Sequence, residues 1–122
     1  MDQSQIEEAL SDLPLGKIGY FGTIGSTNDL AAKWATDNLP EYSLIIADEQ
    51  TRGRGRSGRK WYTPAGSALA ISIILKPRPG EGVQTMPKFS GLGGLAVLQA
   101  LASTYNLNAK IIWPNDVLIV NK

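Results

Sequence analysis

ADEQTRGRGRSGRKWY, residues 47–62, is the most informative stretch of this 122-residue sequence. It concentrates five of the chain's 12 basic residues within nine positions, namely Arg52, Arg54, Arg56, Arg59 and Lys60. Glycine lets a backbone approach a ligand closely, and arginine supplies planar, permanently charged donors that suit carboxylate and phosphate. The alternation of these two residue types indicates a loop that wraps an anion. Taken alone, it is also typical of a solvated basic loop or of a nucleic-acid contact.

The glycines of this stretch also match the G-x-G-x-x-G pattern of dinucleotide-binding folds, through Gly53, Gly55 and Gly58. That fingerprint requires a helix that begins at the last glycine, so that its N-terminus meets the pyrophosphate. Here the residues that follow, Arg59–Pro64, lead toward a strand instead. The sequence therefore argues against a Rossmann fold.

Hydrophobic periodicity and turn residues predict secondary structure on both sides of this stretch. Before it, we expect a helix, a strand, a helix capped by Ser26 or Thr27, and a strand, at about Ile6–Leu10, Lys17–Gly22, Ser26–Leu39 and Tyr42–Ala47. After it, we expect a strand, a long helix and two short strands, at about Ala68–Leu75, Leu92–Tyr105, Ala109–Trp113 and Val117–Val120. Trp34 belongs to an apolar helical stripe and is expected in the core. Together, these helices and strands predict one mixed domain of about five strands and two principal helices.

The composition excludes several kinds of chemistry. There is no cysteine for a disulfide or a thiolate metal site, and no histidine for an imidazole base. No apolar run is long enough to cross a bilayer, so we expect a soluble protein without a membrane partner, and the lack of cysteine fits a reducing cytoplasm. Outside the basic cluster, seven basic residues stand against 11 acidic ones. A positive island on an acidic body indicates a local anionic ligand more than a broad nucleic-acid surface.

Three separated motifs have the order and spacing of one family. They are Ser26–Asn28 (STN), Gly53–Trp61 (GRGRSGRKW) and Trp113–Asp116 (WPND). Together they resemble the catalytic core of a biotin protein ligase, over nearly the whole chain from about Lys17 onward. The resemblance implies an α+β fold of the class II aminoacyl-tRNA synthetase and biotin ligase type. Its sheet is mixed and mainly antiparallel, with helices packed on it, and we expect it to be incomplete here.

The resemblance also implies the site residues. Hydroxyl and amide side chains would meet the ureido ring of biotin, which offers both a carbonyl acceptor and N–H donors. The residues implied for biotin are Ser26, Thr27, Asn28, Gln50, Gly53, Arg54, Gly55, Arg56 and Trp61. Those implied for ATP and the adenylate are Arg54, Arg56, Arg59 and Asn115, and those implied for catalysis are Arg56 and Lys122. No residue is assigned to a metal.

Several of these assignments have structural alternatives. Ser26 or Thr27 would also serve merely as a helix cap, and Trp61 as a hydrophobic anchor for the loop. Asp116 would either stabilise its own turn or contact the ligand or Mg²⁺. The chain departs from the family at Ile112, where a lysine is common. Lys122 is either the lysine that the family places after the Trp-Pro-Asn-Asp tract or the residue just before it.

The implied reaction is activation of biotin by ATP, with Mg²⁺, to biotinyl-5′-AMP and transfer of biotin to a lysine of a biotin carboxyl carrier protein. Phosphoryl chemistry depends largely on positioning and charge neutralisation, so arginines can support it without histidine. We expect a partial catalytic domain over residues 1–122 with weak or no turnover, no DNA-binding domain, no DNA partner and a possible homodimer. The alternatives are a nucleic-acid-binding module that uses the basic loop, and a lipoate-type ligase.

Overall fold

Two compact units make up the computed structural model of this chain, Met1–Lys76 and Pro77–Lys122. The structure describes residues 1–120. The assignment of residues 1–122 to a single partial domain stays a prediction.

The first unit is built on a three-stranded sheet in the order β1-β2-β3, formed by Ile18–Ile24, Leu44–Gln50 and Ala70–Ile73. Strands β1 and β2 are parallel, with Ile18 opposite Leu44, and helix α2 (Thr27–Thr36) connects them. Parallel neighbours need such a crossover because a tight turn can join only antiparallel strands. Strands β2 and β3 are antiparallel.

Helices cover both faces of this sheet. Helix α1 (Gln3–Ala9) packs Ile6 against Leu44 and Ile46, whereas α2 packs Trp34 near Ile45. Successive side chains of a strand point to opposite faces, so the alternation along β2 places the two helices on opposite sides. Trp34 is only 8% exposed, which confirms its predicted place in the core.

The second strand differs from its predicted range, Tyr42–Ala47. Tyr42 has a φ of 61°, in the left-handed region, so it belongs to the turn that precedes β2. The strand begins at Leu44 and continues to Gln50. This shift matters for the site, because it puts Gln50 on the end of a rigid strand rather than in the following loop.

The second unit consists of one long helix and a hairpin. Helix α3 (Met86–Tyr105) is followed by Asn106, whose N–H bonds the Ala102 carbonyl and whose left-handed conformation turns the Leu107 N–H back onto the Leu101 carbonyl. Strands β4 (Ala109–Ile112) and β5 (Asp116–Ile119) then pair antiparallel. No helix within residues 1–120 is long and apolar enough to span a membrane.

The α+β prediction is confirmed. Within the described residues, two of the three strand pairings are antiparallel and one is parallel, so the sheets are mixed and mainly antiparallel.

Candidate functional site

A cavity of about 330 Å³ opens in the first unit beside the N-terminus of α2. Six residues predicted to bind biotin line it: Ser26, Thr27, Asn28, Gln50, Arg54 and Trp61. Six further lining residues were not predicted: Thr63, Ala68, Leu69, Ala70, Ile71 and Ser72. The size lies at the lower end of the range for small-molecule sites, and the mixture of apolar walls with a few polar groups is typical of them.

Gln50 fixes the start of helix α2. Its Oε1 accepts the backbone N–H of Thr27 at 2.9 Å and lies 3.1 Å from the Thr27 hydroxyl. Ser26 occupies the N-cap position, but its side chain makes no capping hydrogen bond. Ser26 thus has the predicted N-cap position, but the side-chain hydrogen bond at the start of this helix comes from Gln50 on a neighbouring strand.

Ser72 extends this polar network from strand β3. Its Oγ lies 2.9 Å from Thr27 Oγ1 and 2.6 Å from Asn28 Oδ1, and the residue is 7% exposed. Sequence reasoning missed Ser72, although one signal was available. It is the single hydroxyl residue in the otherwise apolar segment Ala68–Leu75, and a buried hydroxyl inside an apolar strand needs a polar partner.

The Gly-Arg run folds back on itself as a small hairpin. Gly55 N–H bonds Arg59 O at 2.7 Å, and Trp61 N–H bonds Gly53 O at 2.9 Å. Gly53 is required here, because a Cβ at this position would lie 2.5 Å from the Trp61 carbonyl oxygen and 3.1 Å from Gln50 Nε2. The tip is a short 3-10 turn over Arg56–Gly58.

A second cavity, of about 550 Å³, lies along the same hairpin. Its lining includes Gly53 and shares Gln50, Arg54 and Trp61 with the first cavity. It combines three cationic side chains with two aromatic ones, Arg52, Arg54, Lys60, Trp61 and Tyr62. Such a set suits a ligand with a flat ring and a negative charge.

Arg54 is the cation common to both cavities, and it is paired. Its guanidinium contacts both carboxylate oxygens of Asp29, on the first turn of α2, with Nη1 3.2 Å from Oδ2. Both side chains are partly exposed, so the pair contributes only about 0.2–1 kcal/mol. Asp29 was not predicted. A ligand carboxylate or phosphate can compete for Arg54 at this small cost.

Gly55, Arg56 and Arg59 lie toward the hairpin tip. They are absent from the linings of both cavities, and the two arginines are exposed. Their implied contacts with biotin and the adenylate therefore stay predictions.

The other implied residues belong to the second unit. Asn115 lies in the turn between β4 and β5 and lines a separate cavity of about 410 Å³ with residues of α3. Its Nδ2 is 3.3 Å from Asp116 Oδ1, which does not decide between the two roles considered for Asp116. Lys122 lies outside the described residues. Ile112 is the last residue of β4 and is exposed.

Comparison with known proteins identifies the family. A model of the biotin/lipoate A/B protein ligase family matches residues 20–122. The chain belongs to this family. The bifunctional ligase/repressor BirA of Bacillus spizizenii is 36% identical over the whole chain, which covers 37% of that protein. The biotin–[acetyl-CoA-carboxylase] ligase of Paracoccus denitrificans is 38% identical over 77% of the chain and 38% of its own length.

Solved structures of biotin protein ligases share the fold. The enzyme from Aquifex aeolicus, solved in complex with biotin and ATP, has a TM-score of 0.67 and 33% sequence identity. The similarity covers 83% of this chain and 40% of that protein. The chain thus spans less than half the length of the relatives it matches.

Proposed function

We propose that this chain carries the biotin pocket of a biotin protein ligase. In the proposed reaction, a biotin carboxylate oxygen attacks the α-phosphorus of ATP and pyrophosphate leaves. The amine of an acceptor lysine then attacks the biotinyl carbonyl, and AMP leaves. The Paracoccus relative is named for ligation to acetyl-CoA carboxylase. That name supports a biotin carboxyl carrier protein as the acceptor.

The observation that carries the proposal is the first cavity, where Thr27, Asn28, Gln50 and Ser72 form a connected polar cluster against apolar walls. A ureido ring needs hydrogen-bond donors and acceptors together, because an unpaired polar group loses its contacts with water on burial. The amide and hydroxyl groups of this cluster offer both. A lipoate ring has no such groups, so the cluster favours biotin over the lipoate-type alternative.

Arg54 is assigned to the acidic end of the ligand. Its guanidinium lines both cavities, so it can neutralise a carboxylate from the first and a phosphate from the second. Trp61 lines both as well and supplies an apolar surface between them. In this proposal the second cavity receives the nucleotide, and the charge that develops during adenylation is offset by permanently protonated arginine.

Mg²⁺ belongs to the proposal only as part of the nucleotide substrate. Within residues 1–120 there is no group of three or more acidic or histidine side chains that could hold a metal ion. These residues do not form a protein cage for the ion. Mg²⁺ commonly binds through substrate phosphates and water, and ATP can bring it in this form.

Calorimetric titration of the 122-residue chain with biotin, and separately with lipoic acid, tests the proposed function. Both ligands have a carboxylate on a hydrocarbon tail, but only biotin has a ureido ring. We expect biotin to bind at least tenfold more tightly. Equal affinities, or a preference for lipoic acid, would contradict the assignment. A salt titration with an oligonucleotide covers the nucleic-acid alternative, which requires a steep loss of affinity with ionic strength.

A further inference from the structure

The polar cluster of the first cavity contains fewer hydroxyl hydrogens than contacts. Ser72 Oγ has one hydrogen but two oxygen neighbours, Thr27 Oγ1 at 2.9 Å and Asn28 Oδ1 at 2.6 Å. Thr27 Oγ1 likewise has one hydrogen, and it lies near both Ser72 Oγ and Gln50 Oε1. The backbone N–H of Thr27 always occupies one lone pair of Gln50 Oε1. Two hydroxyl hydrogens therefore serve three contacts, so one contact at a time lacks a hydrogen and three orders are available.

In one order, Thr27 donates to Ser72 and Ser72 donates to Asn28. Gln50 Oε1 then keeps one lone pair for a ligand N–H. In a second order, Ser72 donates to Thr27 and Thr27 donates to Gln50, which saturates Gln50 Oε1. In a third, Thr27 donates to Gln50 and Ser72 donates to Asn28, which again saturates Gln50 Oε1. Both Gln50 and Asn28 line the cavity. In every order Asn28 Oδ1 receives at most one of these hydroxyl hydrogens, so its second lone pair can accept a ligand N–H.

We propose that Ser72 is a positioning residue for recognition of the ureido ring. Its hydroxyl holds the side chains of Thr27 and Asn28, so that the Asn28 carbonyl oxygen accepts an N–H of the ligand from a restrained position. This inference rests on the proposed function and deepens it. The position of Ser72 supports the role, since it lies within β3, paired opposite the fully buried Ile45 of β2, and is fixed by the sheet rather than by a loop.

Without the Ser72 hydroxyl, the cluster loses this restraint. Thr27 then donates only to Gln50, whose Oε1 is saturated, and Asn28 loses the hydrogen bond that restrains its side chain. A ligand N–H has to bind an unrestrained amide. We expect Ser72→Ala to raise the biotin dissociation constant about tenfold, the scale of one buried hydrogen bond. Ser72→Cys, which keeps the size but replaces the hydroxyl with a weak donor, should weaken binding in the same direction.

Ser43→Ala is the matched control. Ser43 is another buried serine of this unit, and its Oγ contacts Lys17 N at 3.1 Å and Pro40 O at 2.7 Å, outside the cavity. We expect this variant to lower the melting temperature but to keep the biotin dissociation constant within twofold of wild type. The three variants and wild type are titrated with biotin and with lipoic acid, and their melting temperatures are measured.

A loss of biotin affinity in both Ser72 variants, with lipoic acid affinity unchanged, supports the positioning role. Unchanged biotin affinity in Ser72→Ala overturns it. A loss of biotin affinity in Ser43→Ala also overturns it, if in both variants the loss scales with the drop in melting temperature. Either of these two contrary results overturns only the role of Ser72 and leaves the proposed function intact. A wild-type chain that does not prefer biotin to lipoic acid overturns the proposed function and the role of Ser72 together.

Discussion

Individual residues of the site were predicted where the resemblance to biotin protein ligases implied them. The Ser26–Asn28 motif, Gln50 and Arg54 were predicted and lie together around one cavity. Ser72 and Asp29 were missed for a common reason. Each is an ordinary residue type whose role comes from a partner that is more than 20 positions away in sequence, Thr27 and Arg54 respectively.

Arg56 tests the implied adenylate contacts. Arg56→Ala should weaken binding of biotinyl-adenylate by about 1.5–3 kcal/mol, the usual scale for a hydrogen bond to a charged group. Arg78→Ala is the control, because Arg78 lies between two prolines in an exposed loop outside the Gly-Arg run. Titration calorimetry measures both. Equal losses would contradict the assignment of Arg56.

Gly53 tests the close packing of the hairpin. Gly53→Ala would put a methyl group 2.5 Å from the carbonyl oxygen of Trp61, so the hairpin has to shift, at a cost of about 1–3 kcal/mol. Gly22→Ala is the control, since a Cβ there would have no neighbour within 4 Å. Urea unfolding of the two variants should show a clear loss for Gly53→Ala alone. A similar free energy of unfolding for both would refute the steric argument.

Tyr20 gives a prediction for alkaline pH. Its hydroxyl donates a hydrogen bond to Asp48, which raises the pKa of Tyr20 above the ordinary value near 10. The neutral phenol is thus favoured in the folded state, and its contribution to stability is present below pH of about 10 and lost as the pH rises through the raised pKa. Between pH 8 and pH 11, wild type should lose more stability than Tyr20→Phe in denaturant unfolding. Identical losses would exclude this linkage.

At the scale of elements, the sequence predicted the kinds of helix and strand better than their pairing. The parallel pairing of β1 and β2 follows from the position of α2 between them, which the sequence does indicate. The division into one three-stranded and one two-stranded sheet could not be predicted, because hydrophobic periodicity identifies a buried face but not the neighbouring strand. The start of β2 was misplaced because Tyr42 is apolar but adopts a turn conformation.

Helix α1 protects the outer edge of β1 with a single side chain. Gln3 Oε1 accepts the N–H of Tyr20 at 2.7 Å, and its Nε2 donates to the carbonyl of Ile18 at 2.9 Å. The amide therefore substitutes for a neighbouring strand, and an uncovered edge invites pairing with another chain.

Gln3→Ala should increase self-association of the chain and reduce its free energy of unfolding by about 1–3 kcal/mol for the two lost hydrogen bonds. Light scattering over a range of protein concentrations measures the association. Gln5→Ala provides the comparison, because the Gln5 side chain caps the same helix by accepting the Asp2 N–H, a hydrogen bond at the start of α1 rather than on β1. Equal association of the two variants would rule out edge protection by Gln3.

At the scale of the whole molecule, the two units differ in how well they bury apolar side chains. The first has fully buried residues such as Ile45 and Ala47, whereas α3 has no buried residue within the described part of the chain. Amide hydrogens should therefore exchange faster in α3 than in β2, because local opening is easier where few apolar contacts have to be broken. Hydrogen-exchange mass spectrometry measures this difference. Slower exchange in α3 would contradict it.

One amide oxygen serves two purposes in this chain. Gln50 Oε1 begins helix α2 and also belongs to the surface that the ligand would meet. This double role limits the substitutions that can be accepted at position 50. Glutamate at position 50 would keep the cap but lose the amide donors, and alanine would lose both. Most substitutions at this position would remove the acceptor and weaken the helix, so variation should enter the pocket mainly through its apolar walls, where a substitution alters the shape of the site and leaves the start of α2 intact.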